Sequence, residues 1–451
     1  MLYGSHAPSQ DRQRLGTVLI LAVVAVLVAG VLWVVGDQRG WFVGSTGSAG
    51  SPASPTVEQP LSRRAGLEEV LQVRAGAMRD KDRAGWLSRL DPANTELQQA
   101  QATLFDNMAE VSFDLVEYAY TGESPLPAER RTALGPDAWV AKVNISYRIA
   151  GADTASVRRE QFVTMVLRGR TWYIAGFGDH PADAHPVRDL WELTPVTVTR
   201  GSRSLILSTN AEPQQRMAAR VDRGAEHVDR VWGVDWPRTV VVVVPTDQEQ
   251  MAQLLGRTDQ AGLDQIAAVT TGEVGLTDTG VGADRIILNP HGFAQLDAAA
   301  AQMVMTHEIA HVAARSGGGG EVPIWLSEGL ADYVAFKDSK LSTWQRAGDV
   351  LDQVRRGNVP TRLPDLEAFD PAVGDVAPAY SASYLAVTML VERYGEAKVL
   401  QLYRTVQGSD TRDGATAAAV PMDAAMRDVL GITEAQFEQD WIAYLHATAG
   451  G

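Results

Sequence analysis

A chain of 451 residues is more than one ordinary core can hold, so two or three folded units are expected. Its formal net charge of −15 argues against a phosphate-binding surface, because an acidic body repels nucleic acid and anionic headgroups alike. The absence of cysteine excludes a disulfide framework, a thiol nucleophile and a lipid-modified N-terminal cysteine, and it leaves His, Asp and Glu as the ligands of any zinc site.

In chain order, residues 1–14 read as a cytoplasmic tail. Residues 15–36, "LGTVLILAVVAVLVAGVLWVVG", carry no charge, and at about 1.5 Å per residue they can cross roughly 30 Å of hydrocarbon. No small-residue cleavage site follows, so the expectation is an uncleaved transmembrane signal-anchor. Arg12 and Arg14 before the run, against Arg39 beside Asp37 after it, put the N-terminus in the cytoplasm, and Trp33, Trp41 and Phe42 suit the outer interface. The rest of the chain is then extracytoplasmic, on a single-pass cell-membrane protein. Residues 37–60 are rich in Gly, Ser and Pro and read as a flexible tether.

A first unit, 61–195, is expected to be α+β. Leu67, Val70, Leu71 and Ala77 recur at helical spacing, as do Leu97, Leu104 and Met108. In "AWVAKVNISYRI" Trp139, Ala141, Val143, Ile145, Tyr147 and Ile149 alternate with Lys142, Asn144, Ser146 and Arg148, which predicts a half-buried strand. "EQFVTMVLRGRTWYIAGF" predicts a hairpin turning at Arg168, Gly169 and Arg170. Helices followed by such a sheet resemble the curved-sheet, nuclear-transport-factor-like accessory domains.

The second unit, 196–451, is expected to hold a small mixed sheet followed mostly by helices. "VTVTRGSRSLILST" predicts a hairpin and Gln214 to Trp232 a helix. The apolar run at Val240 to Val244 predicts a buried central strand, and "ADRIILNP" a further short one. Next, "LDAAAAQMVMTHEIAHVAARSG" starts after Asp297 as N-cap and stops at Arg315, Ser316 and Gly317, which predicts a helix. On a 3.6-residue repeat His307 and His311 project from one face a turn apart, so both can reach one ion. Glu308, about 100° round, lies beside that ion and suits the role of base toward a metal-activated water. In "VPIWLSEGLADYVAF" Glu328 and Asp332 share a face of a second helix. Glu328 can be the third ligand, and Asp332 can accept the far N–H of a ligating histidine. Gly317 to Gly320 let the chain reverse between the two helices.

"HEIAH" and "WLSEGLAD" resemble the gluzincin metallopeptidases, the thermolysin and aminopeptidase-N-like clan, and most closely their peptidase-MA-like members. The resemblance implies zinc at His307, His311 and Glu328, Glu308 as general base, and Asp332 behind the ligands. It also implies hydrolysis of a peptide or protein substrate without a covalent intermediate. With 16 residues between His311 and Glu328 the connecting loop is shorter than in the best-known members. The family's oxyanion-stabilising tyrosine has two candidates in "APAYSASYLAVTMLVERYG", Tyr380 and Tyr384. The glycine-methionine-glutamate-asparagine strand motif of the clan's aminopeptidases is absent, so exopeptidase action is not expected, and the strand "ADRIILNP" is expected to pair an extended substrate along its edge.

Two other readings stand beside this one: a catalytically silent scaffold on a peptidase fold, and a hydrolase of non-peptide amides in the cell wall. His180 and His185 in "GDHPADAH" read as a solvated loop, and His227, His291 and His446 as structural or exposed. No cofactor other than Zn2+ and no nucleic-acid partner is expected, and no feature specifies an oligomeric state.

Overall fold

The computed structural model describes residues 60–182, 184–209, 214–271, 282–317, 320–370, 373–408 and 419–450. The expected anchor at 15–36 and nearly all of the tether lie outside these residues; among the described residues no helix is long and apolar enough to cross a membrane.

Three helices open the described chain: α1 (Arg63–Asp80), α2 (Arg83–Ser88) and α3 (Thr95–Asn107). Each starts at a side-chain cap, with Ser62, Asp82 and Asn94 accepting from the backbone N–H three residues on. Four antiparallel strands follow in the order β1-β2-β3-β4: β1 (Phe113–Ser124), β2 (Trp139–Ile149), β3 (Val157–Arg168) and β4 (Thr171–Gly176), with α4 (Ala128–Leu134) between the first two. The alternation expected in β2 is present, the six apolar residues being buried and the four polar ones half-buried. The hairpin of β3 and β4 turns where expected, at Gly169, whose φ of +64° favours glycine. Sequence periodicity offered no signal for β1, because along its length only Phe113 and Val116 are buried.

The second sheet has the order β5-β6-β7-β9-β8. Its strands are β5 (Thr197–Arg200), β6 (Ser204–Ser208), β7 (Val240–Val244), β8 (Ala268–Thr270) and β9 (Arg285–Leu288); α5 (Gln214–Trp232) and α6 (Gln248–Leu254) lie between them in the chain. Strands β6, β7 and β9 are parallel, while β5 and β8 close the two edges antiparallel. The apolar run of β7 has a simple cause: both faces are covered. Ile206, Val240, Val242, Ile286 and Ala268 pack toward α5 and the C-terminal helices. Leu205, Leu207, Val241, Val243, Ile287 and Val269 pack the other way, in one cluster with Phe113, Tyr147 and Trp191 beside the first sheet. An ion pair strengthens that junction: Arg285 donates to both oxygens of Asp153 at 2.6 and 2.7 Å, with side-chain exposures of 6% and 1%.

One expectation about this sheet is overturned. "ADRIILNP", β9, is an interior strand with its hydrogen-bonding edges taken by β7 and β8, so it offers no edge to a substrate. Among the described residues the edge strand on that side is β8, three buried residues long, a segment too short to stand out as a strand in the sequence.

Helices account for nearly all of the rest: α7 (Pro290–Ala294), α8 (Ala298–Arg315), α9 (Ile324–Phe336), α10 (Thr343–Arg355), α11 (Ala377–Tyr394), α12 (Glu396–Gln407), α13 (Met422–Leu430) and α14 (Glu434–Gly450). The α8 helix carries HEIAH between α5 and α9. The latter is buried at Trp325, Leu326, Leu330 and Val334 and is clasped from its other side by α11. The α9–α11 approach depends on Gly329, where a Cβ would fall 2.3 Å from the Ser383 carbonyl oxygen and 2.9 Å from Val387 Cγ2. Since the first of those neighbours is backbone, Gly329→Ala is expected to force the helices apart, at a cost of about 1–3 kcal/mol or more. Calorimetric melting of the variant checks this, and looser metal retention should accompany the fall because Glu328 is the preceding residue.

Candidate metal centre

The helix that carries the two histidines begins where its sequence says it should. Asp297 accepts from the N–H groups of Ala299 and Ala300, and Arg315 occupies the last turn. Ile309 and Met305 anchor one flank in the core against α5, where Gly224 leaves room for the Ile309 side chain. That packing fixes the rotation of α8 and turns His307 and His311 toward α9. The chain returns through the glycine-rich loop, and at Gly320 the need for glycine is a close contact as well as freedom to turn. Its N–H donates to the Gln407 carbonyl at 2.8 Å, and a Cβ would lie 2.3 Å from that same oxygen.

Three donor atoms converge between the helices. The Nε2 atoms of His307 and His311 are 3.1 Å apart, and Glu328 Oε2 lies 3.2 Å from the first and 3.4 Å from the second. An ion held tetrahedrally at about 2.0–2.1 Å needs donors roughly 3.3–3.4 Å apart. The triangle therefore fits such an ion, and these three residues form the one His/Asp/Glu group among the described residues with that spacing. The chemistry of the donors agrees. Two imidazole lone pairs facing each other repel unless something positive lies between them. Glu328 is 0% exposed, and neither of its oxygens makes a hydrogen bond, an expensive state for a carboxylate without a cation. Burial acts to raise the Glu328 carboxyl, and the charge of the imidazoles overrules it, bringing it down to about 2.

The surroundings orient these donors. Asp332 accepts from His307 Nδ1 at 2.9 Å, which leaves Nε2 turned toward His311 and Glu328. Burial opposes a charge on His307, yet Asp332 and Glu328 raise its pKa well above the ordinary value, so the spot favours a cation. Ser327 Oγ lies 3.4 Å from His311 Nδ1. Glu308 is 0% exposed, and burial raises its carboxyl above the usual range while the two imidazoles and Thr270 hold it back. Of its oxygens, Oε2 accepts from the Thr270 hydroxyl at 2.8 Å, while Oε1 has no hydrogen bond.

Thr270 is the residue that sequence reasoning missed. It ends β8, in the same parity as Ala268, so it faces α8 rather than the first sheet. Thirty-eight residues separate it from Glu308, and no local pattern links the two.

The tyrosine candidates part company. The Tyr380 ring centroid lies 6.4 Å from that of His307, in a small cluster with Phe369, Val376 and Ala379. One turn on, Tyr384 accepts at its hydroxyl from Arg346 Nη1 at 2.9 Å and packs edge-on to Phe336 in the main core. His180 and His185 lie in an irregular loop away from this cluster, His180 within 3.0 Å of the Pro181 carbonyl.

No curated protein matches the chain in sequence. Among solved structures it is similar to a two-domain M1 zinc metallopeptidase, a mutant bound to L-arginine, at 15% identity and a TM-score of 0.35. That similarity covers 74% of this chain, which spans 64% of the length of the other. Residues 280–447, which contain all three donors together with Glu308, Asp332 and both tyrosines, match the family model of the Peptidase MA superfamily. Over these residues the chain is similar to the Peptidase MA superfamily, as the resemblance carried by HEIAH and WLSEGLAD implied.

Proposed function

We propose that the protein is a membrane-anchored zinc metallopeptidase that hydrolyses peptide bonds outside the cytoplasm with Glu308 as general base. The observation that carries this reading is the convergence of His307, His311 and Glu328 within 3.1–3.4 Å of one another in a buried, cation-demanding site. These residues would hold the zinc, with Asp332 setting the tautomer of His307. When bound, the ion supplies Lewis acidity, lowering the pKa of a water toward about 7 and polarising the scissile carbonyl.

The chain's own groups do the rest. Glu308 Oε1, which carries no hydrogen bond, takes the proton of the attacking water and delivers it to the leaving amine. Its raised pKa suits a group that must hold that proton between the two events. Thr270 grips Oε2 and so keeps Oε1 pointed at the reaction. Tyr380, beside His307, is the better placed of the two tyrosines to donate to the developing oxyanion, since the Tyr384 hydroxyl is engaged by Arg346. An extended substrate would align along β8, the edge strand among the described residues and the one that carries Thr270. The uncharged run at 15–36 supports the anchor, the flanking arginines support the orientation, and the separate antiparallel sheet β1–β4 supports 61–195 as an accessory unit.

Glu308→Gln should leave about one zinc per chain by elemental analysis while lowering kcat by about 10²–10⁴. Cleavage by a metal-free preparation would rule the mechanism out. Thr270→Val should lower kcat by roughly ten- to a hundredfold with KM and zinc content nearly unchanged, as expected for a lost hydrogen bond to a charged group worth about 1.5–3 kcal/mol. Thr270→Ser should restore most of the rate; equal rates for the Val and Ser variants would remove the positioning role. For the anchor, protease added to intact cells should digest the chain beyond residue 60, and full protection would reverse the orientation.

A further inference from the structure

A second site lies far from HEIAH in sequence, in the unit that precedes the peptidase residues. The helices α1, α2 and α3 and the antiparallel sheet enclose a cavity of about 30 Å³, room for roughly two waters or one small ion. Arg74 forms part of its wall and is 4% exposed. Its guanidinium carbon is 3.3 Å from the centroid of the Trp86 ring and 4.9 Å from that of Phe177, so aromatic faces cover the plane of the cation. Stacking does nothing for the N–H groups at the edge. Nη2 donates to Gln101 Oε1, whereas Nε and Nη1 donate to nothing.

A buried guanidinium is normally matched by a carboxylate. Among the described residues no carboxylate is in ion-pair contact with Arg74. The acids in the cavity wall are otherwise engaged: Asp189 takes the Tyr147 hydroxyl at 2.6 Å and Arg159 at 3.3 Å. Glu192 Oε2 accepts the Asp189 N–H at 2.8 Å. Burial and the neighbouring Asp189 push the Glu192 carboxyl up to about 7, and it acts on Arg74 only across a distance, as the Tyr118 hydroxyl does from nearer by. Gln161 Oε1, also in the wall, is buried without a hydrogen bond. Leu104, Tyr118 and Gln161 are half-buried, and the cavity opens between them.

We infer that this cavity is a binding site for a small monovalent carboxylate, held by the unpaired Nη1 of Arg74 beside the Trp86 face. The ligand supplies the anionic acceptor in direct contact with Arg74 that the fold leaves out. The carboxylate could be a free small anion or the end of a longer molecule entering through the mouth. The inference is independent of the metal centre, because none of its residues touches that site.

Calorimetric titration of the full-length protein with sodium formate at constant ionic strength tests it. One saturable site is expected for the wild type and none for Arg74→Met. No saturable heat in the wild type, or the same heat in Arg74→Met, would mean that the cavity holds only water and would overturn the proposal. Should Arg74→Met fail to fold, Leu104→Trp decides: it plugs the mouth and keeps the cation, so formate binding should fall at least tenfold while the melting transition survives. Unchanged binding in that variant also overturns the site. With formate established, a short peptide and its C-terminally amidated twin separate the two sources of the carboxylate; competition by the free acid alone identifies a chain terminus, and competition by neither leaves the free anion.

Discussion

A fully buried carboxylate, Glu328, lies against two imidazole nitrogens, and that arrangement constrains everything built around it. Taking an ionised side chain such as Glu328 out of water costs several kcal/mol even after relaxation, and nothing apolar in α9 returns that energy. Only a positive charge at the meeting point of Glu328, His307 and His311 does. The surrounding helices must therefore hold three atoms from two elements in place to within a few tenths of an ångström, a demand that a loosely packed pair of helices could not meet.

Close packing meets it on each side of the pair. On one flank α8 lies against α5, where Gly224 admits Ile309; on the other, Gly329 lets α11 approach the backbone of α9. At the turn between the two, Gly320 lies against the Gln407 carbonyl, so the end of α12 holds the loop. Each glycine occurs where a side chain would open a gap, and each gap would move a donor atom. The sheet contributes through parity. Because β8 turns Ala268 and Thr270 toward α8, the hydroxyl of Thr270 meets the carboxylate of Glu308 inside the core.

The two sheets are not independent neighbours. Apolar residues of β6, β7 and β9 run into the same cluster as Phe113, Tyr147 and Trp191, and the Asp153–Arg285 pair binds the β2–β3 turn to β9. Removing either partner would strand a buried charge, at a cost of about 3–5 kcal/mol. Strand β9 is the direct neighbour of β8, so the first unit is mechanically joined to the strand that carries Thr270. Arg74 presents the opposite case: a buried cation beside an amide, aromatic rings and the Tyr118 hydroxyl, with no carboxylate in ion-pair contact.

The sequence by itself determined what depends on short-range periodicity and on residue chemistry. The i, i+4 spacing of His307 and His311, the Asp297 cap, the period-two alternation of β2 and the uninterrupted valines of β7 each express a local rule, and the folded chain obeys them. Glu328 and Asp332 were legible because they share a helix face and because the ligand chemistry of a cysteine-free chain left few choices. Other features were decided by tertiary structure. β9 became an interior strand when a three-residue segment paired with it, an event that no window of sequence encodes. Tyr380 and Tyr384, equivalent along a helix, were separated by where Phe369 and Arg346 happen to lie. Thr270 met Glu308, and Arg74 met Gln101 without an ion pair, through contacts between residues far apart in the chain. Such contacts follow from how whole elements pack, since hydrogen bonds and charges are satisfied in space and only the repeat of a helix or strand is written along the chain.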